Sequence, residues 1–463
     1  MAQSSKLTVP SGMRDFLPEQ VAKRNYIFNT IRQVFESFGF VPIETPSMEY
    51  LSVLSGKYGE EGEQLMYKVL NSGNFWESIQ PLSAELLNSK KLTPLICEKA
   101  LRYDLTVPLA RFVVNHQHQL QFPFKRYQIQ NVWRGDRPQK GRYREFTQCD
   151  ADVIGSSSLY YEAEFIQIYQ MVFERLNLTE YQIIINNRKI LQAMAEKLNC
   201  LPQFKEFCIA IDKLEKIGLS GVQQEMQKRN LPLTTIQNFE EWATLSGPVL
   251  ETLPRLKEKL SHSSMGELGI QEIEQVIEIL SFAQNELKNI ILDPLLARGL
   301  DYYTGIIIEA KIKNASVGSV GGGGRYDDLT GIFGLKQMTG CGISFGADRL
   351  YDVLEEKQLF PLEIKPNAQL LILNLGKETW PIIYPIAQRL RTENIPLEVY
   401  PQSEHKMSKQ LSYADKKKIP FALIIGTEEI DSQQWQLKNL ATGEQQKIQT
   451  QELILFFKNR KAS

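Results

Sequence analysis

The chain has 463 residues, 53 Lys and Arg against 54 Asp and Glu, a net charge of −1 and 43% hydrophobic residues. At roughly 100–200 residues per domain, this length gives two to four domains with cores of their own, and the ordinary composition excludes disordered, collagen-like and coiled-coil chains. The balanced charge excludes a uniformly basic nucleic-acid binder but leaves room for a local basic patch. No apolar run approaches the roughly 18 residues that span a bilayer, so no membrane partner is expected. Met1–Pro10 lacks the apolar centre of a secretion signal, and the five Cys are odd in number with no CxxC pair. Reduced thiols and a cytoplasmic location follow as expectations.

The first helix is predicted over 18–38, where Pro18 suits the first helical position and Ile27, Ile31, Val34, Phe35 and Phe38 recur at helical spacing up to Gly39. Phe40–Pro46 carries two prolines and reads as an edge or interface strand. The mixed signal over 71–98 reads as a loop or hairpin insertion. Residues 124–133 and 142–154 alternate with period two, which predicts two long strands joined by a polar loop. Over 188–290 the helical spacing of Phe207, Ile211 and Leu214, and again of Ile273, Val276, Ile277 and Leu280, predicts a helical insertion of about 100 residues. Gly305–Ile312 and Cys341–Phe345 then return to strand character around a Gly-rich turn. Pro361–Pro366 reads as a linker. Beyond it the apolar stretches Leu370–Leu373 and Phe421–Ile425 alternate with helical stretches 381–393 and 406–418, which is α/β patterning. The domains expected are therefore 1–365, including the insertion, and 366–463.

Several chemistries are missing from the motif record. There is no GxxxxGK[ST] phosphate loop and no GxGxxG after a strand. His116 and His118 have no neighbouring ligands and no HExxH exists, so no metal site is expected on the protein. Lys406-Met407-Ser408-Lys409 resembles the KMSKS loop of class I aminoacyl-tRNA synthetases, but its HIGH-type companion is absent, and the tetrapeptide reads as a solvated helix start.

The strongest local signal lies over 124–154. Between Lys125 and Arg144, seven basic residues, Lys125, Arg126, Arg134, Arg137, Lys140, Arg142 and Arg144, stand against a single acid, Asp136. Charge runs are usually solvated edges. In the second strand, however, Thr147, Cys149, Ala151 and Val153 make a small apolar face that belongs inside. The opposite face then gathers Arg142, Arg144, Phe146, Gln148, Asp150 and Asp152, a poor core but a good site for a phosphate, a stacked base and an amine. Arg102–Pro108 ends a strand at a helix start with Asp104 and Thr106 on one face. Arg298–Gly305 brings Arg298, Tyr302 and Tyr303 together just before a strand. Gly321–Gly324 reads equally as a flexible hairpin tip or a ligand loop. In Gly342–Leu350 a strand runs into a helix and places Arg349 in the first turn, at an end that favours anions.

Together these stretches resemble the histidyl-tRNA synthetases, class II aminoacyl-tRNA synthetases, over nearly the whole chain. Gly39–Pro46 is similar to motif 1 with Pro46 at a dimer interface, Phe124–Asp152 to motif 2, and Gly342–Leu350 to motif 3. The loose class motifs are made specific by RGLDYYTG at 298–305 and GGGGRYDDL at 321–329, which resemble the two histidine signatures. The resemblance implies an α+β catalytic domain, an antiparallel sheet flanked by helices with the helical insertion, followed by an α/β anticodon-binding domain. It implies a homodimeric histidine–tRNA ligase that uses L-histidine, ATP with Mg2+, and tRNA(His). Catalytic roles would fall to Arg298 and Arg134, with ATP held by Arg134, Arg142, Phe146 and Arg349. Histidine would be held by Asp104, Leu105, Thr106, Gln148, Asp152, Arg298, Tyr302 and Tyr303. The chain departs from many bacterial members in having Asp rather than Glu at 104 and 152, and from many class II motif 3 sequences in having Asp348, which leaves the charge in place. A regulatory subunit of histidine biosynthesis, a tRNA-sensing pseudo-synthetase and a class II enzyme for another amino acid are the rivals. The intact arginines with the C-terminal residues count against the first, the unbroken motifs against the second, and RGLDYYTG against the third.

Overall fold

Pro18 opens the first helix, Pro18–Ser37, and the side chain of Gln20 accepts a hydrogen bond from the backbone N–H of Leu17. Gly39, at φ +78°, turns the chain out of it. Ile27, Ile31, Val34 and Phe35 are buried on one face of that helix, as the spacing predicted. The computed structural model describes residues 7–460 apart from Lys57, 81–87, 284–286, 299–302, Leu329, 362–363 and 365–367. It divides into two units, Met1–Pro361 and Leu362–Ser463.

In the first unit the strands run in chain order β1 (Val41–Pro42), β2 (Met48–Tyr50), β3 (Lys68–Val69), β4 (Lys99–Leu101), β5 (Phe124–Trp133) and β6 (Glu145–Ile154). They continue with β7 (Tyr181–Asn187), β8 (Gly247–Pro248), β9 (Ile290–Leu292), β10 (Ile306–Ile312), β11 (Gly321–Asp327) and β12 (Thr339–Gly346). Nine of them form one sheet in the order β1-β5-β6-β12-β11-β10-β7-β9-β8, and β2, β4 and β3 form a small one. From β5 to β7 every pairing is antiparallel, with Arg126 opposite Asp152 and Gly342 opposite both Asp152 and Gly324. This is the sheet class that the sequence predicted. Cys149, Ala151 and Val153 are fully buried, on the face that packs with Phe35 and with Phe165, Tyr169 and Phe173 of the Tyr160–Arg175 helix. Phe345 of β12 fills the centre of that layer, its ring 4.6 Å from Tyr169. The opposite face of β6 is left for polar groups.

Four expectations change. Gly321–Gly324 is neither hairpin tip nor loop but the buried middle of the sheet. A Cβ on Gly323 would stand 2.0 Å from the carbonyl oxygen of Gly342, so the strands meet this closely only because β11 lacks side chains there. Over 71–98 the described residues hold a 3-10 turn, Phe75–Ile79, and a helix, Ser89–Ile96, rather than a hairpin. The second long strand begins at Glu145, not 142, because Gly141 at φ +71° and the Gln139–Arg142 bridge keep 134–144 as a loop. The residues from 188 to 290 are mainly helical, but β8 lies among them, and β9, which begins at Ile290, joins the main sheet beside β7.

In the second unit β13 (Leu370–Ile372), β14 (Leu397–Val399), β15 (Phe421–Ile424), β16 (Trp435–Asn439) and β17 (Gln445–Ile448) form a mixed sheet in the order β14-β13-β15-β16-β17. The Trp380–Thr392 and Thr450–Asn459 helices pack apolar residues such as Ile383, Leu390, Leu453 and Phe457 against it. Lys406–Lys409 does begin a helix, Met407–Lys416. No helix among the described residues is long and apolar enough to cross a membrane.

Candidate active site

The polar face of β6 opens into a cavity of about 360 Å³, within the range of about 300–1,000 Å³ usual for small-ligand sites. Arg134, Arg142, Phe146, Gln148, Arg298, Tyr303 and Arg349 all line it. They come from segments far apart in sequence, and the sheet order explains their meeting: β6 and the loop from β5 bring the first four, the Ala347–Glu356 helix after β12 brings Arg349, and β11 floors the site. Arg134 donates from Nε to the Tyr103 carbonyl at 3.0 Å and from Nη2 to Gln148 Oε1 at 3.4 Å. Its guanidinium lies 4.4 Å from the Tyr103 ring centre and 5.3 Å from that of Phe146, a stacking geometry that holds a flat cation in place. Arg142 pairs with Asp136 at 2.8 Å.

Arg298 reaches the floor through three anchors. Nε pairs with Glu309 at 2.9 Å, Nη2 donates to Ser319 Oγ at 2.7 Å, and Nη1 donates to the Gly321 carbonyl at 3.1 Å. The glycine run makes this possible, since a Cβ on Gly322 would fall 1.4 Å from Arg298 Nη1 and one on Gly324 would fall 3.0 Å from the Tyr303 ring. Arg349 donates to the Gly141 and Ser319 carbonyls at 2.8 and 2.6 Å. Burial, followed by the charges of Arg298, Arg142 and Arg134, presses its pKa below the ordinary arginine range. Four guanidinium groups thus feel one another across one small space, which is an arrangement suited to a polyanion.

The other residues singled out from the sequence lie elsewhere. Asp104 is buried and accepts from Tyr58 Oη at 2.8 Å and from the Val107 N–H at 3.2 Å, in the first turn of the Thr106–His116 helix. Burial pushes its carboxyl up, against the pull of Arg134. Leu105 is fully buried and Thr106 begins that helix. Asp152 pairs with the fully buried Arg126 at 2.6 Å and accepts from Tyr326 Oη at 2.7 Å. Its carboxyl and that of Asp150 are raised by burial, with Arg126 opposing, Asp150 to about 7. Tyr302 lies outside the described residues. Arg144 turns away from the ligand face, donating to the carbonyls of Asp136 and Ser11.

Sequence reasoning missed the residues that hold the arginines. Glu309 was findable, because an acid inside the apolar run Ile306–Ala310 needs a buried cation. Ser319 and Tyr103 gave no signal. Asp348, marked in the sequence only as an Asp in place of Glu, is pinned by Arg14, Arg24 and the Thr147 N–H and so fixes the first turn that carries Arg349. Arg14 also lies over the Tyr143 ring at 3.4 Å, and Tyr143 Oη donates to Asp352 at 3.0 Å. The loop bearing Arg142 and the helix bearing Arg349 are therefore registered against each other.

The histidyl-tRNA synthetase family model matches residues 12–75 and 98–350, and an anticodon-binding domain model matches 369–460. A histidine–tRNA ligase of Christiangramia forsetii is 50% identical over 97% of this chain and 98% of its own length, and one of Flavobacterium johnsoniae is 49% identical over 96% and 97%. Among solved structures, a histidyl-tRNA synthetase from a Nostoc species superposes with a TM-score of 0.82 at 33% identity, covering 98% of this chain and all of that one. On sequence, fold and the residues gathered at the cavity, this chain belongs to the histidyl-tRNA synthetase family.

Proposed function

We infer that the chain is a histidine–tRNA ligase. It joins L-histidine to ATP, giving histidyl-adenylate and pyrophosphate, and then passes the histidyl group to the terminal ribose of tRNA(His), releasing AMP. The observation that carries this reading is the convergence of Arg134, Arg142, Arg298 and Arg349 on one cavity beside Gln148 and Tyr303. When the histidine carboxylate attacks the α-phosphate, negative charge gathers on the phosphate oxygens, and fixed positive charge lowers that barrier without any covalent step by the protein.

Arg134 and Arg298 flank the α-phosphate, Arg142 and Arg349 take the outer phosphates, and adenine stacks on Phe146 against Arg349. Asp104, Thr106 and Gln148, with Leu105 in the same segment, serve the amino group of histidine. Asp152 and Tyr303, with Tyr302 beside them, take the two imidazole nitrogens. Arg126 and Tyr326 hold Asp152 in one orientation as an acceptor. A competitor lacking either nitrogen leaves a buried polar group unpaired, which is the strongest form of side-chain selection.

The described residues contain no cluster of three metal-binding side chains, and Asp136 and Glu309 are each taken by an arginine. Mg2+ enters as the partner of the ATP phosphates. The working form is a cytoplasmic homodimer, and support for its interface is the edge strand β1 with Val41, Met48 and Tyr50 exposed nearby. Pyrophosphate exchange measured with each of the twenty amino acids tests the reading. Exchange should depend on histidine and Mg2+ and should fall at least about 100-fold in Arg298→Ala. Equal exchange with another amino acid would refute it.

A further inference from the structure

At the end of β7, Ile185, Asn186 and Arg188 hold both ends of the segment from which Arg298 projects. The backbone N–H of Asp293 donates to the Ile185 carbonyl at 3.1 Å, and the N–H of Arg188 donates to the Gly305 carbonyl at 2.8 Å. Between them stands Asn186, whose side chain is fully buried. Its Nδ2 donates to the Pro294 carbonyl and to the Leu296 carbonyl, both at 3.0 Å. Leu296 precedes Arg298 by two residues.

The rest of that amide is costly. Asn186 Oδ1 is buried and makes no hydrogen bond among the described residues. A buried acceptor without a partner destabilises a fold, and an apolar residue of similar size would avoid that cost. The unpaired oxygen therefore gives no reason for asparagine at this position. The two donors do give one, because they fix the carbonyls that set where the Arg298 backbone lies.

We propose that Asn186 is a positioning residue for adenylate formation, fixing the backbone from which Arg298 reaches the cavity floor. The proposal rests on the assignment of Arg298 to the reacting phosphate. Asn186 touches no substrate in this scheme, and its effect passes through Arg298 alone.

A double-mutant cycle on the full-length protein tests this, with single-turnover histidyl-adenylate formation as the readout. Asn186→Ala should slow formation roughly 10–100-fold, with KM for histidine and ATP held within about threefold. In an Arg298→Ala background the same change should slow it by less than about twofold, since there is no longer an arginine to misplace. Asn186→Leu, close in size but without either donor, should behave as Asn186→Ala does. Amide hydrogen exchange should quicken at 293–298 and stay unchanged in β7. A wild-type rate in Asn186→Ala, or equal losses in both backgrounds, would overturn the proposal. Loss of protection across β7 and β10 in both variants would also overturn it, marking Asn186 as a core residue. If the unmodified protein gave no histidine-dependent exchange, the ligase assignment would fall, and hydrogen exchange at 293–298 would still decide whether Asn186 fixes the segment.

Discussion

Replacing Gly322 by Ala should leave the protein folded and nearly inactive. The new methyl carbon would stand 1.4 Å from Arg298 Nη1, while the other atoms it approaches belong to the same guanidinium group. Non-bonded atoms settle at about 3.5 Å, so the end of the Arg298 side chain must retreat by about 2 Å. That end is flexible and borders the cavity, so little of the fold has to move with it. The retreat would break the bonds to Ser319 Oγ and the Gly321 carbonyl. A displacement of about 1 Å at a reacting centre can cost 100-fold in rate, or about 2.7 kcal/mol, and this one is larger. Gly323→Ala should do the reverse, because its methyl would meet the Gly342 carbonyl and the Ile343 Cα, which are backbone atoms in a central strand. Thermal melts and histidine-dependent pyrophosphate exchange on the two variants separate the cases. A Gly322→Ala protein with near-normal exchange would show that the place of Arg298 on the floor is not what drives the reaction.

Asp150 carries a raised carboxyl, to about 7, so the folded state binds that proton more tightly than the unfolded chain does. Its contribution to stability is complete below the ordinary carboxyl range and is lost as pH rises through about 7. Asp150→Asn, which mimics the protonated form, should flatten the decline between pH 5 and pH 8 and stabilise the protein at pH 8 by roughly 1–4 kcal/mol; an unchanged slope in urea melts would count against it. Tyr326→Phe removes the donor to Asp152, so stability should fall by about 1–3 kcal/mol and KM for histidine should rise more than KM for ATP, a prediction lost if both rise together. A chain ending at Pro361 should keep histidine-dependent exchange and lose most tRNA charging, and tRNA binding by the full chain should weaken with salt. Charging at the full-length rate would remove the C-terminal unit from tRNA reading.

The parts of this fold that announce themselves in the sequence are those whose side chains alternate. Cys149, Ala151 and Val153 gave the inner face of β6, and Gln148 with Phe146 gave the outer one, because a strand sorts neighbours onto opposite sides. Gly321–Gly324 has no side chains to sort, and the groups that demand glycine there, Arg298, Gly342 and Tyr303, come from other elements. Arg126 was counted with a basic hairpin, yet the cross-strand register buries it on Asp152. The arginines on Asp348 were invisible for a simpler reason. Arg14 lies 334 residues away and Arg24 lies 324 away, so no local pattern links them. Of the lysines at the Met407–Lys416 helix, Lys417 is committed to Glu398 at 2.7 Å, a pairing no local pattern announced.

The mutual pressure among the cavity arginines has a consequence for how this protein can change. Arg349 is disfavoured in its charged form by burial and then by three other guanidinium groups, and neutral replacements at such positions commonly raise stability while lowering activity. A library sorted for heat resistance alone would therefore drift toward a neutral residue at Arg349. Survivors would melt later and make less adenylate. Thermostable forms are better sought by sorting on melting temperature in the presence of a polyphosphate, since a ligand that binds only the folded state adds its own binding free energy to stability. Under that selection the arginines are retained, because each one then contributes to the quantity being sorted.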